Sequence, residues 1–336
     1  MKKKIAILGS TGSIGKSLLE IIKKDKKLFE IVLLTAQKND IELIKQARNF
    51  KVKNLIITNK KSFNKIIKMK LNKRFNIYNN FNDLNKIFKK KVDYTMNSIS
   101  GIEGLNPTIK IIKFTKKIAI ANKESIICGW SIINKKLKLY NTKFIPIDSE
   151  HFSINELIKN SDKKNIEKIF ITASGGPFLM KKISSFKKIK VKNAIHHPTW
   201  KMGKKISIDS ATMINKVYEL IEAKKIFDLD YSIFDILIQP TSYVHSIIKF
   251  HGGIIKVLIH DTSMTIPIFN SLYENNKFKS KISSNINVEK LNNLNLQTVP
   301  IRKFPIDKIL KHLPKTDSLF ETVLVSANDT LVNLFL

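Results

Sequence analysis

The first twenty-four residues limit the fold more than any other stretch of the chain. Lys4 to Leu8 is an apolar run that reads as a buried strand, and "GSTGSIG" from Gly9 to Gly15 is a turn of small residues. Leu18, Leu19, Ile21 and Ile22 then recur at helical spacing within Lys16 to Lys24. The alternation continues. Glu30 to Ala36 and Asn54 to Thr58 read as strands, with a helix at Ile41 to Phe50 between them. Tyr94 to Asn97, a helix near Leu105 to Phe114, "KIAIA" at Lys117 to Ala121 and "KFIPI" ending at Ile147 follow in turn. Strands that alternate with helices predict a parallel, doubly wound α/β sheet.

After Asp148 the pattern becomes α+β. Strands are expected at Lys168 to Thr172, Ile236 to Ile238, Ser246 to Phe250 and Ile254 to Ile259, with a helix from about Ala211 to Ile226. The expected organisation is a Rossmann-like N-terminal domain over 1–147, a catalytic α+β domain over 148–276, a polar linker over 277–300 and a C-terminal helical region over 301–336.

A glycine-rich turn between a strand and a helix suits a pyrophosphate. Small residues let the backbone come close, and the helix start offers free N–H groups. An ordinary tight turn is the competing reading. An NAD site usually carries an acid at the tip of the second strand. This chain has Gln37, Lys38 and Asn39 there, which favours NADP, although Lys38 also reads as one more surface lysine. "ANKES", Ala121 to Ser125, lies at the end of a strand, so Lys123 and Glu124 are expected near the cofactor.

Acids are scarce: 27 Asp and Glu stand against 60 Lys and Arg, a net charge of +33. Such a charge raises nucleic acid as a partner. Here the lysines are scattered along the whole chain, and neither zinc pairs nor aromatic strand repeats accompany them, so an anionic small substrate is the simpler partner. Against this background "IDSEH" stands out. Asp148 and Glu150, if they sit at a strand end, project to one side and offer hard oxygen ligands to Mg²⁺ or Mn²⁺. Two solvated loop acids are the alternative. A third ligand is available in "DSATMINKVYELIEAKKIF", where Asn215, Lys216 and Glu219 share a helical face and Asp209 or Ser210 is placed to cap the helix. Glu222 competes one turn later. "TASGGPF" offers Ser174, Gly175 and Gly176 as a phosphate-binding turn. "HHPTWKMG" places Trp200 and Met202 on a loop, as a lid would.

Together "ILGSTGSIG", "ANKES", "IDSEH", "SGGPF", "HPTWKMGKKISIDSATMINK" and "VHS" resemble the 1-deoxy-D-xylulose 5-phosphate reductoisomerase family, in the family's order, from residue 7 to about residue 270. The resemblance implies an NADPH- and divalent-metal-dependent enzyme. It would rearrange and reduce 1-deoxy-D-xylulose 5-phosphate to 2-C-methyl-D-erythritol 4-phosphate in the non-mevalonate isoprenoid route. It implies cofactor contacts at Thr11, Gly12, Ser13, Ile14, Lys38, Asn39, Asn122, Glu124 and Gly203. The implied metal ligands are Asp148, Glu150 and Glu219, binding Mg²⁺ or Mn²⁺ with Co²⁺ as a further candidate. Ser174, Ser210, Asn215 and Lys216 are the implied phosphate pocket. Lys123, Ser149, Glu150 and His197 would surround the reacting end, and Trp200 would lie in the lid. His151 is not a ligand on this reading.

The family also implies a homodimer. Gln37, Gln239 and Thr265 depart from its usual glycine, histidine and arginine. The C-terminal helical region is expected to be shortened at Leu336. Another NADP-dependent dehydrogenase of a phosphorylated substrate, or a non-catalytic basic binding protein, are the alternatives. One cysteine, Cys128, and no apolar run of membrane-spanning length give the expectation of a cytoplasmic protein with no membrane or nucleic-acid partner.

Overall fold

The computed structural model describes residues 2–273, 286–316 and 318–336, and it divides into two units. The first contains the residues up to Ile147 and a returning segment that begins at Pro267; the second begins at Asp148.

In the first unit, seven strands form one sheet among the described residues. They are β1 (Lys3–Leu8), β2 (Phe29–Ala36), β3 (Asn54–Ile57), β4 (Asn76–Tyr78), β5 (Tyr94–Asn97), β6 (Lys117–Ile120) and β7 (Lys143–Pro146). Their spatial order is β4-β3-β2-β1-β5-β6-β7 and every pairing is parallel. Ile5, Ile7, Leu33, Leu34, Leu55 and Ile56 are fully or almost fully buried, as strands covered on both faces require. The strand order reverses between β1 and β5. In such sheets ligands bind beyond the carboxyl ends at that switch point.

The helices Ser13–Lys24, Asp40–Phe50 and Lys123–Leu139 connect these strands. The sequence reading lacks β4, the short helix Lys60–Lys68 and the long helix Lys123–Leu139. Pro267–Tyr273 also belongs to this unit, which corrects the expected second domain of 148–276. Tyr94 and Ser271 share a hydroxyl contact at 2.8 Å, Tyr273 packs edge-on against Phe29, and its hydroxyl donates to Asp25.

The second unit has a mixed five-stranded sheet among the described residues, ordered β11-β10-β8-β9-β12. Its strands are β8 (Ile166–Ala173), β9 (Phe234–Ile238), β10 (Val244–Phe250), β11 (Ile255–Ile259) and β12 (Gln297–Thr298). β8 and β9 run parallel; the other neighbours are antiparallel. Helices Ser149–Leu157 and Ile214–Phe227 pack on this sheet. β12 lies inside the expected polar linker, so that segment contributes a strand; residues 277–285 of the linker lie outside the described residues. The C-terminal region holds the helices Ile306–Leu310 and Phe320–Phe335 and groups with the second unit instead of standing as a domain of its own. No helix among the described residues is long and apolar enough to cross a membrane.

Candidate functional site

The glycine turn sits at the switch point of the first unit. Gly9 has φ +77, and a Cβ there would lie 2.8 Å from the backbone of Ser98, just past β5. Only glycine permits both that conformation and that approach. Gly12 is the N-cap of helix Ser13–Lys24 and supplies no side-chain cap, and the first turn carries no acid. The first N–H groups of this helix are therefore left for an external acceptor, with the helix dipole favouring an anion. Gly12 and Ser13 are exposed and Thr11 and Ile14 half-buried. Ser10 lies beneath the turn. Its hydroxyl donates to Gln46 Oε1 at 2.8 Å, and Gln46 Nε2 returns a bond to the Ser10 carbonyl at 3.1 Å.

Lys38 and Asn39 are exposed beyond β2; Asn39 caps the next helix by accepting from the Glu42 N–H at 3.1 Å. Gln37 is also exposed. Asn122, past β6, donates to the Ile99 carbonyl at 2.7 Å and caps helix Lys123–Leu139 through the Ser125 N–H. Lys123 and Glu124 are both buried in the first turn of that helix.

The second unit brings Asp148, Glu150 and Glu219 together, with one oxygen from each within 4.8 Å of the others. Asp148 and Glu150 do not lie on a strand as expected. β7 stops at Pro146, Asp148 is the N-cap of helix Ser149–Leu157, and Glu150 lies in its first turn. The two acids converge through capping geometry: the Asp148 carboxylate accepts from the Glu150 N–H at 3.3 Å.

Glu219 arrives on helix Ile214–Phe227, and the i, i+3, i+4 spacing works as expected. Lys216 Nζ lies 2.6 Å from Glu219 and Asn215 Nδ2 donates to the same carboxylate. Asp209 and Ser210 do not cap this helix; they belong to the preceding helix, Lys204–Ala211. The break falls at Met213, a buried residue held at φ 66, which turns the chain so that the second helix can enter the site.

Lys216 is almost completely buried, and its ammonium also contacts Glu150 at 2.6 Å. Burial works against its charge, but Glu150 and then Glu219 outweigh that and raise its pKa above an ordinary lysine. Three carboxylates against one ammonium leave a net charge of minus two. With an all-oxygen donor set, that balance fits a hard divalent cation. Ser149 donates to Glu150 at 2.5 Å.

His151, set aside as a ligand, holds the trio from behind. Its Nε2 meets the Glu219 carbonyl at 2.8 Å, and its Nδ1 faces Asp148 at 3.6 Å and Glu222 at 4.0 Å. Glu222 is buried there and is not one of the clustered ligands.

The Ser-Gly-Gly turn, Ser210 and His197 come together near Lys216. Gly176 (φ +65) sits against Ser210, where a Cβ would come within 2.8 Å of the Ser210 carbonyl, so the Ser-Gly-Gly turn and the end of helix Lys204–Ala211 abut. Ser174 Oγ accepts from the Gly176 N–H at 3.0 Å and contacts His197 Nε2 at 2.9 Å. His197 Nδ1 accepts from the Thr199 and Trp200 N–H groups at 3.2 and 3.0 Å, so its proton sits on Nε2 and points at Ser174. Burial, then the Lys216 charge, lowers its pKa to about 4.

Trp200 stands edge-on to His245, which stacks on His260 with ring centres 3.6 Å apart. The sequence reading assigned no role to either histidine; "VHS" was the available signal for His245, and His260 had none. Gly203 starts helix Lys204–Ala211 in the open. Gln239 is fully buried and holds the β9–β10 turn, accepting from the Tyr243 N–H at 2.7 Å and donating to Thr241 at 2.7 Å.

Residues 5–129 match the family model of 1-deoxy-D-xylulose 5-phosphate reductoisomerase, and residues 144–227 match the model of its C-terminal domain. The chain belongs to the 1-deoxy-D-xylulose 5-phosphate reductoisomerase family. It is 60% identical to the reductoisomerase of Pelagibacter ubique, covering 99% of this chain and 86% of that protein. It is 37% identical to that of a Sulfurihydrogenibium species, with the same coverage. The fold matches the Zymomonas mobilis reductoisomerase in complex with NADPH at a TM-score of 0.89 and 28% identity, over 100% of this chain and 87% of that one. It also matches a reductoisomerase in complex with NADPH, fosmidomycin and magnesium at 0.90 and 31% identity, over 99% and 84% of the two chains.

Proposed function

We propose that this protein converts 1-deoxy-D-xylulose 5-phosphate to 2-C-methyl-D-erythritol 4-phosphate with NADPH and a divalent cation. The observation that carries the reading is the carboxylate trio of half-buried Asp148 and buried Glu150 and Glu219, with Lys216 between two of its members. A Mg²⁺ or Mn²⁺ ion held by that trio would act as the Lewis acid for adjacent substrate oxygens. The glycine turn, with Thr11, Gly12, Ser13 and Ile14, would hold NADPH, which would supply the hydride. Lys38 is suited to the 2′-phosphate, and Asn39, Asn122 and Glu124 are the further cofactor contacts of this reading.

The remaining work falls to side chains. Ser174, Ser210, Asn215 and Lys216 anchor the substrate phosphate, and that binding energy positions the reacting end. His197 is neutral at pH 7 and donates from Nε2, so it orients a hydroxyl and does not carry charge. Ser149 completes the set around the substrate oxygens in the second unit. Closure of the Trp200 loop would exclude water.

A homodimer is part of the proposal. β11 is an edge strand of the second sheet, and Ile255 and Val257 on it and Ile254 just before it are exposed, a surface that a second copy would cover. The single cysteine supports a reducing, cytoplasmic setting. The test is oxidation of NADPH in the presence of 1-deoxy-D-xylulose 5-phosphate. Turnover that needs Mg²⁺ or Mn²⁺ and stops with a chelator is expected; folded protein without metal-dependent turnover overturns the reading.

A further inference from the structure

The helix Phe320–Phe335 reaches the site-bearing elements through a closed polar ring. Asp209 is 3% exposed, and both of its carboxylate oxygens are engaged. Oδ2 accepts from Lys205 at 2.9 Å, one turn earlier on the same helix, and Oδ1 accepts from Asn328 Nδ2 at 2.8 Å. Lys205 closes the ring with Asp329 at 3.1 Å and also lies over the Tyr218 ring. A second, independent bridge joins Lys225, on helix Ile214–Phe227, to Glu321 at 3.5 Å, with both side chains buried. Lys303 donates to the Leu179 carbonyl, just past the Ser-Gly-Gly-Pro-Phe turn.

We propose that Asp209, clamped by Asn328, is a positioning residue through which helix Phe320–Phe335 sets the place of the Ser210 hydroxyl in the phosphate pocket. The inference rests on the reading of Ser174, Ser210 and Asn215 as that pocket.

Ser210 is the next residue after Asp209, on the same helical turn, and its carbonyl is in close contact with Gly176. Helix Lys204–Ala211 is therefore held on two sides: by the Ser-Gly-Gly turn at its end and by Asn328 and Asp329 along its outer face. Without the Asn328 donor the Asp209 carboxylate is held by its remaining partners, Lys205 among them, and its hydrogen bonds rearrange. That rearrangement shifts the helix against the Gly176 turn and carries the hydroxyl with it. The sequence holds no local sign of this, because Asp209 and Asn328 are more than a hundred residues apart.

The probe is inorganic phosphate, measured as a competitive inhibitor against 1-deoxy-D-xylulose 5-phosphate with NADPH and Mg²⁺ present. Asn328→Leu is expected to weaken phosphate inhibition and raise KM for the substrate by roughly three- to tenfold, with kcat and the NADPH affinity changed less than about twofold. Asn328→Gln, which keeps an amide donor, recovers most of the loss. Asp329→Asn gives the same direction more weakly and serves where the leucine variant fails to fold. Ser210→Ala separates the two readings. If it weakens phosphate inhibition while folded Asn328→Leu does not, the clamp is overturned and the pocket stands. If neither variant moves it, the pocket assignment fails and the clamp with it.

Discussion

Replacing Lys216 with methionine tests the electrostatic account of the metal cluster. The Lys216 ammonium contacts Glu150 and Glu219 at 2.6 Å each and is 7% exposed. Methionine keeps the apolar stem but leaves three carboxylates within 4.8 Å and no cation between them. Removing one partner of a buried pair costs about 3–5 kcal/mol. In a folding unit of this size each kcal/mol moves Tm by about 2–4 °C, so Tm in the presence of a chelator falls by roughly 6–20 °C.

Mg²⁺ then restores more stability to the variant than to the parent. In the parent an incoming divalent ion must displace the ammonium from two carboxylates; in the variant no cation competes, and only neutral donors such as Asn215 and Ser149 must yield. Thermal melts followed by circular dichroism, with EDTA and with Mg²⁺, give both numbers. An unchanged Tm in EDTA, or a metal-induced gain no larger in Lys216→Met than in the parent, refutes the reasoning.

Glu219→Gln keeps the shape of the cluster but removes a charge from it, and is expected to lower kcat by about three orders of magnitude. NADPH affinity, measured by fluorescence titration, stays within about twofold because the glycine turn belongs to the first unit. Gly15→Ala places a Cβ 2.6 Å from the Ser10 Cα and 2.7 Å from the Gly9 carbonyl. Backbone cannot yield as a flexible side chain would, so the expected result is about 1–3 kcal/mol of lost stability and weaker NADPH binding, read by denaturant titration and by calorimetry. His197 has its pKa lowered to about 4 in the fold, against 6.5 unperturbed. Between those values the unfolded chain binds more protons than the folded one, so its contribution to stability is complete above pH 6.5 and is lost as pH falls toward 4. An NMR titration that places the His197 midpoint at or above 6.5 contradicts this.

The N-terminal alternation was legible because each strand there is short, apolar and followed by a periodic helix. Helix Lys123–Leu139 was not: its core is "SIICGWSII", rich in β-branched residues with a glycine inside, and local propensity argues against a helix. Tertiary packing overrides that propensity. Gly129 lies where a Cβ would come within 2.3 Å of the Leu105 side chain, so the glycine serves close approach of two helices. β4 was missed for a related reason: three residues carry too little periodicity, and only pairing with β3 makes Asn76–Tyr78 a strand.

At the site, the shared face of Asn215, Lys216 and Glu219 follows from helical period alone and could be read from their spacing. The partnership of Asp148 with Glu150 was expected from strand alternation and is instead produced by a helix cap, because Pro146 ends β7 two residues earlier.

By itself, then, the sequence determined whatever depends on near neighbours: the glycine turn between strand and helix, the polar face of helix Ile214–Phe227 and the parallel character of the first sheet. The tertiary structure alone decided which distant groups meet. It set Glu219 against Asp148 and Glu150, His151 behind them, His245 on His260, and Asn328 on Asp209. The physical reason is range. Backbone period and capping act over a few residues, whereas these contacts are fixed by how buried faces of separate elements fill space together, which no local pattern encodes.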